Sequence, residues 1–113
     1  MSKPIERTFN FTSDGEIHDA TVDETSEALG SCQNYTWSIT PILVGITGGT
    51  PEYTIEVSND GVTWFEYNNA STNVSVEDAV DDTHLAFTKI RIVHDAKGAS
   101  SGTVEYKFVQ KQN

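Results

Sequence analysis

The sequence predicts an all-β fold: an antiparallel β-sandwich, jelly-roll or immunoglobulin-like, with about seven or eight strands. Three observations lead there. Apolar residues recur with a period of two along most of the chain. The alternating runs are short and are separated by turns rich in Gly, Asn, Asp and Ser. Each run has one apolar and one polar face, as a sheet with a single buried side requires.

Residues 1–6, with Pro4 among them, read as an N-terminal arm, and residues 7–113 as one sandwich domain. From Arg7 to Thr12, Phe9 and Phe11 share a face. Tyr35, Trp37 and Ile39 alternate with Thr36, Ser38 and Thr40; beyond Pro41 the pattern resumes at Ile42, Val44 and Ile46. Tyr53, Ile55 and Val57 alternate with Glu52, Thr54 and Glu56. The turn Ser58-Asn59-Asp60-Gly61 then leads into Val62 and Trp64 as a hairpin, since Asn and Asp cap their own backbone and Gly supplies positive φ. Val74 and Val76 form a shorter run. From His84 to His94, Ile90 and Ile92 oppose Lys89, Arg91 and Val93. From Thr103 to Gln110, Val104, Tyr106 and Phe108 oppose Glu105 and Lys107.

The predicted core is Phe9, Trp37, Ile39, Ile55, Val57, Trp64, Ile90, Ile92, Tyr106 and Phe108. Two loops stand out, the loose connection Gly45 to Pro51 and a mobile one from Lys97 to Gly102. Only Asp23 to Gly30 has helical character, with Thr21 and Glu24 as a capping box and Gly30 as terminator; an irregular loop fits equally well.

A chain of 113 residues is one domain, and at that size it buries roughly two-thirds of its unfolded surface. The single cysteine, Cys32, forms no internal bridge, so the protein either folds in a reducing compartment or does not depend on oxidation. The segment Met1 to Glu6 has no apolar run of the kind a signal peptide carries. No stretch is long and apolar enough for a membrane helix, so no membrane partner is expected.

Seventeen acids face seven bases, for a net charge of −10. Phosphate-backbone binding needs clustered Lys and Arg, so nucleic acid is not an expected partner. Between Arg7 and Lys89 there is no base at all, whereas Lys89, Arg91, Lys97, Lys107 and Lys111 crowd the C-terminal end. This asymmetry fits either cross-strand pairing on solvated faces or a bipolar surface that docks onto a neighbouring copy.

No arrangement of residues points to catalysis, and neither enzymatic activity nor a cofactor is expected. Cys32 has no flanking base. The histidines His18, His84 and His94 are scattered, and the last two, ten residues apart on one run, are too distant to share an ion. Gly45 to Thr50 resembles a phosphate loop but lacks its lysine and helix. Two candidates remain. Glu77, Asp78, Asp81 and Asp82 offer oxygens for calcium, against the alternative of a solvated acidic loop. Phe65 and Tyr67, on the face opposite Trp64, offer ring surface to a sugar or to a neighbouring subunit.

The run from Tyr53 to Trp64, an alternating strand entering Ser58-Asn59-Asp60-Gly61 and closing two residues later on Trp64, resembles a motif of small bacteriophage virion proteins. In that group a strand like Tyr35 to Ile39 precedes it. Strands like Thr88 to Val93 and Gly102 to Tyr106, separated by a Ser/Gly loop, follow it. All occur here in that order, from about residue 35 onward, while residues 1–33 carry no comparable signature. The resemblance implies a capsid, decoration or spike-base component that assembles in the host cytoplasm and contacts its own copies and other virion proteins. The same hairpin also occurs in discoidin-like and other carbohydrate-binding sandwiches. There it serves a turn and not a site; it is the ring surface of Phe65 and Tyr67, with the acidic loop, that makes a glycan-binding module used in attachment the second expectation.

Overall fold

The structure, a computed structural model, describes residues 5–30, 35–73, 80–82 and 88–112. It is an antiparallel β-sandwich of two sheets, with no helix among the described residues. The strands are β1 (Ile5–Thr8), β2 (His18–Asp19), β3 (Glu24–Thr25), β4 (Leu29–Gly30), β5 (Tyr35–Thr47), β6 (Glu52–Ser58), β7 (Phe65–Asn73), β8 (Val80–Asp82), β9 (Lys89–Asp95) and β10 (Ser101–Gln112). The segments outnumber the expected seven or eight because β2, β3 and β4 are two-residue pairings. Of these, β3 and β4 occupy the stretch Asp23 to Gly30, where sequence left helix and loop open. The N-terminal arm is also shorter than expected, since Ile5 and Glu6 already pair with Gln110 and Val109.

Sheet 1 runs β1-β10-β5-β8, with β2 also on β10; sheet 2 runs β3-β9-β6-β7, with β4 also on β9. The chain passes from sheet 1 to sheet 2 between β2 and β3, and recrosses repeatedly, so both sheets are built from distant parts of the sequence. The longest pairing joins β5 and β10, from Tyr35↔Gln112 to Thr47↔Ser101.

The inward faces follow the period of two. On β10, Val104, Tyr106, Phe108 and Gln110 are buried; on β9, Ile90, Ile92 and His94; on β6, Tyr53, Ile55 and Val57. Phe9 and Phe11 fill the space between the sheets, Phe9 at 5.6 Å from Phe108 and Phe11 at 6.1 Å from Tyr106, centroid to centroid. Such tilted aromatic contacts add to the burial of their large apolar areas.

Pro41 sits within β5 without interrupting it. The Phe9 amide donates to the Tyr106 carbonyl, so Tyr106 directs its backbone polar groups toward the β1 side. Its partner Pro41 therefore needs no amide toward β10. Because the alternation runs unbroken through Pro41, Leu43 packs on the core while Ile42 and Val44 face solvent, the reverse of the expected assignment. Ile46 rejoins the core after a bulge between Ser101 and Thr103. There Gly102 has φ +113°, and a side chain on it would lie 2.6 Å from Ile46 Cδ1.

Trp64 is a correction to the predicted core. The hairpin return strand begins at Phe65, paired with Val57, so Val62 and Trp64 belong to the turn. Trp64 is half-buried under Arg91, whose guanidinium lies 4.0 Å from the ring centroid and donates to Glu56 at 2.7 Å. The loop Lys97 to Gly102 is likewise less free than expected. Ala99 is buried, the Ser100 amide donates to the Thr47 carbonyl, and Gly49 packs against the backbone of Lys97 to Ala99. The basic C-terminal end is largely paired across strands: Arg91 with Glu56, Lys107 with Glu6 and Glu105, and Lys97 with Glu52 and Asp95.

Candidate functional site

Two regions carry chemistry. The first is the tip of the β6–β7 hairpin. Asp60 Oδ1 accepts from the Val62 and Thr63 amides at 2.8 and 2.7 Å and from the Ser58 hydroxyl at 3.0 Å. The two amide bonds and the Ser58 hydroxyl together hold the Asp60 carboxyl down at about 2. Ser58 Oγ accepts in turn from the Asp60 and Gly61 amides, and Thr88 donates to the Ser58 and Asn59 carbonyls. The turn is thus braced from both ends. Yet it displays Val62 at 82 % and Phe65 at 65 % exposure, large apolar groups turned to water. Phe65 stands where the aromatic platform was expected. Tyr67 lies in β7, and its side chain is outside the description.

The second region lies where the chain first crosses between sheets. His18, fully buried in β2, stacks on Phe11 at 4.0 Å and meets His94 of β9 edge-on at 4.9 Å. Two histidines that read as scattered in sequence are therefore neighbours. His94 Nε2 faces the Ala20 carbonyl at 3.0 Å and must donate to it; Nδ1 then accepts the Tyr106 hydroxyl proton at 2.7 Å. His94 is neutral in this arrangement, and burial lowers its pKa in agreement. Burial also raises the Tyr106 phenol well above its usual range.

His18 Nε2 faces the Val22 carbonyl at 2.8 Å, so it too carries a proton. Its Nδ1 lies 2.9 Å from Asp14 Oδ1. Two lone pairs at that separation would repel, so a hydrogen or a cation lies between the two atoms. Asp14 is exposed; the desolvation it does feel raises its pKa, but the Asp19 amide and then His18 outweigh that and lower it. Glu24 completes the cluster: its carboxylate accepts from the Ser13 hydroxyl and amide at 2.5 and 3.2 Å. The ligand atoms of Asp14, His18 and Glu24 all lie within 4.8 Å of one another.

Beside this cluster an open groove is lined by Asp14, Ile17, Asp19, Thr21 and residues 100–103. Asp19 is held by the Thr21 amide and hydroxyl, and Ser101 by Thr47 and the Gly45 carbonyl.

The calcium candidate is not assembled by the described residues. Asp81 and Asp82 pair in β8 with Ser38 and Trp37, while Glu77 and Asp78 lie outside the described residues. Cys32, His84, Val74 and Val76 lie outside them as well. Sequence reading missed the His18–His94 pair because their adjacency depends on which strands face each other across the sandwich. Compared with protein-family models, with curated proteins and with solved structures, the chain matches none.

Proposed function

We propose that this chain is a structural protein of a bacteriophage particle, a capsid, decoration or spike-base component that works by protein–protein assembly. The observation that carries the reading is the braced hairpin tip. Val62 on the turn and Phe65 at the start of β7 stand exposed beside a backbone fixed by Asp60, Ser58 and Thr88. Such bracing is ordinary turn chemistry, but here it also fixes the apolar groups that the turn carries. A docking surface gains from it, because a preorganised apolar group loses less entropy on association. Exposed apolar groups held in this way mark interaction sites. The same segment carries the resemblance to phage virion proteins, which adds the expectations of self-association, of other virion proteins as partners and of assembly in the host cytoplasm.

The test is attachment. Incubated with particles stripped of it, the protein should co-sediment, and V62D and F65D variants should bind at least about tenfold more weakly. Both positions are exposed, so the variants should keep the wild-type circular dichroism spectrum. A protein that neither self-associates nor attaches to stripped particles would remove the proposal.

A second reading, a carbohydrate-binding module, is favoured by the groove beside Asp14. Its carboxylates and hydroxyls with Ile17 supply the mixed polar and apolar lining that a sugar needs. A glycan array without hits for the wild-type chain would dispose of it.

A further inference from the structure

We infer that Asp14, His18 and Glu24 form a binding site for a divalent transition-metal ion, zinc above all, that ties the two sheets together at one end of the sandwich. The inference goes beyond the assembly reading and does not depend on it.

Four observations carry it. The first is the ligand set, one imidazole nitrogen and two carboxylates with their atoms within 4.8 Å of one another. Zinc takes His nitrogen and Asp or Glu oxygen at roughly 2.0–2.2 Å in a tetrahedron, so its ligands lie about 3.3–3.6 Å apart. Within the 4.8 Å cluster the ligand atoms have to close by about 1.3 Å, which Glu24 can do by rotating its carboxylate away from Ser13.

The second is the orientation of His18. Its Nε2–H is committed to the Val22 carbonyl at 2.8 Å, which fixes the tautomer and aims the Nδ1 lone pair at Asp14. A ring nitrogen donating to a backbone carbonyl is the usual outer-sphere support of a metal-bound histidine. Phe11, stacked at 4.0 Å, holds the ring plane.

The third is charge. Asp14 and Glu24 place two negative charges against this ring. A proton on Nδ1 compensates one of them; a divalent ion compensates both.

The fourth is access and placement. His18 is fully buried, Glu24 is half-buried and Asp14 is exposed, so the site is anchored at its base and open at its rim. That leaves the remaining coordination to water, as three-ligand zinc sites do. His18 is paired with Val104 in sheet 1, and Glu24 with His94 in sheet 2. An ion held by both would fasten the crossing segment to each sheet.

The experiment is titration of EDTA-treated, desalted protein with zinc chloride by isothermal calorimetry, with magnesium chloride as the comparison, alongside thermal melts. Expected are one saturable site for zinc, none for magnesium, and a Tm raised by about 10 °C at a hundredfold excess over Kd. Because His18 is in the core, the rim variants D14N and E24Q carry the test. Both should melt cooperatively without zinc and bind it at least about tenfold more weakly. No saturable zinc binding by the wild-type protein would overturn the inference, as would unchanged affinity in both variants.

Discussion

Tyr106 and His94 show how single polar atoms are used inside this sandwich. One belongs to sheet 1 and the other to sheet 2, and the hydroxyl proton of one meets the ring nitrogen of the other at 2.7 Å. Removing that hydroxyl leaves a buried acceptor without its donor. Tyr106→Phe should therefore cost about 1–3 kcal/mol, read from the urea midpoint at constant m-value. Asp60 acts at the surface, and its contribution depends on pH. Its carboxyl titrates near 2 in the folded protein against 3.8 for the free group, so on acidification the unfolded chain takes up the proton first. The stabilisation from Asp60 is complete above about pH 4 and is lost as pH falls toward 2. Asp60→Ala should be less stable than the wild type at neutral pH, and the gap between the two should close over that window. Denaturation curves recorded at stepped pH would detect it.

At the level of elements, the loops are fixed by close approach. A side chain on Gly49 would lie 2.3 Å from the Lys97 carbonyl oxygen and 2.6 Å from the Ala99 nitrogen, all backbone atoms that move only together. Gly49→Ala should cost about 1–3 kcal/mol and lower Tm, measurable by calorimetry. Much at this scale was legible in the sequence. The period of two located the long strands and the inward faces of β6, β9 and β10, because burial on one side of a pleated strand leaves that alternation. It failed where the backbone departs from regular pairing. Trp64 continues the alternation of Ile55 and Val57 on paper, but Asp60 gathers Val62 and Thr63 into a wider turn, and the indole leaves the core for the aliphatic and cationic cover of Arg91. Two-residue strands such as β3 and β4 are too short to leave any period at all.

For the whole molecule, what the sequence concealed was the third dimension. His18 and His94 are separated by most of the chain, and Asp14, His18 and Glu24 carry no recognisable spacing. They meet only because β2 joins β10 while β3 joins β9, which folds the segment between them around the end of the sandwich. The hairpin tip is the reverse case. Its turn chemistry could be read directly from Ser58 to Gly61, whereas the exposure of Val62 and Phe65 depended on where the return strand begins. Fold class and the hairpin turn thus follow from local pattern, whereas the His18–His94 contact and the cluster around His18 follow from how the strands are brought together.

The place of β10 has a consequence for how the protein comes into being. This strand lies between β5 on one side and β1 and β2 on the other, and its inner residues line the core of sheet 1. Until residues 101–112 have left the ribosome, the strand that joins β5 to β1 and β2 is missing. Sheet 2 can pair as soon as β9 appears. Sheet 1 waits, with the apolar faces of β5 and of Phe9 and Phe11 uncovered. Sheet 1 therefore closes only after residues 101–112 clear the exit tunnel, and until then the nascent chain is a natural client for chaperones that shield unpaired strands.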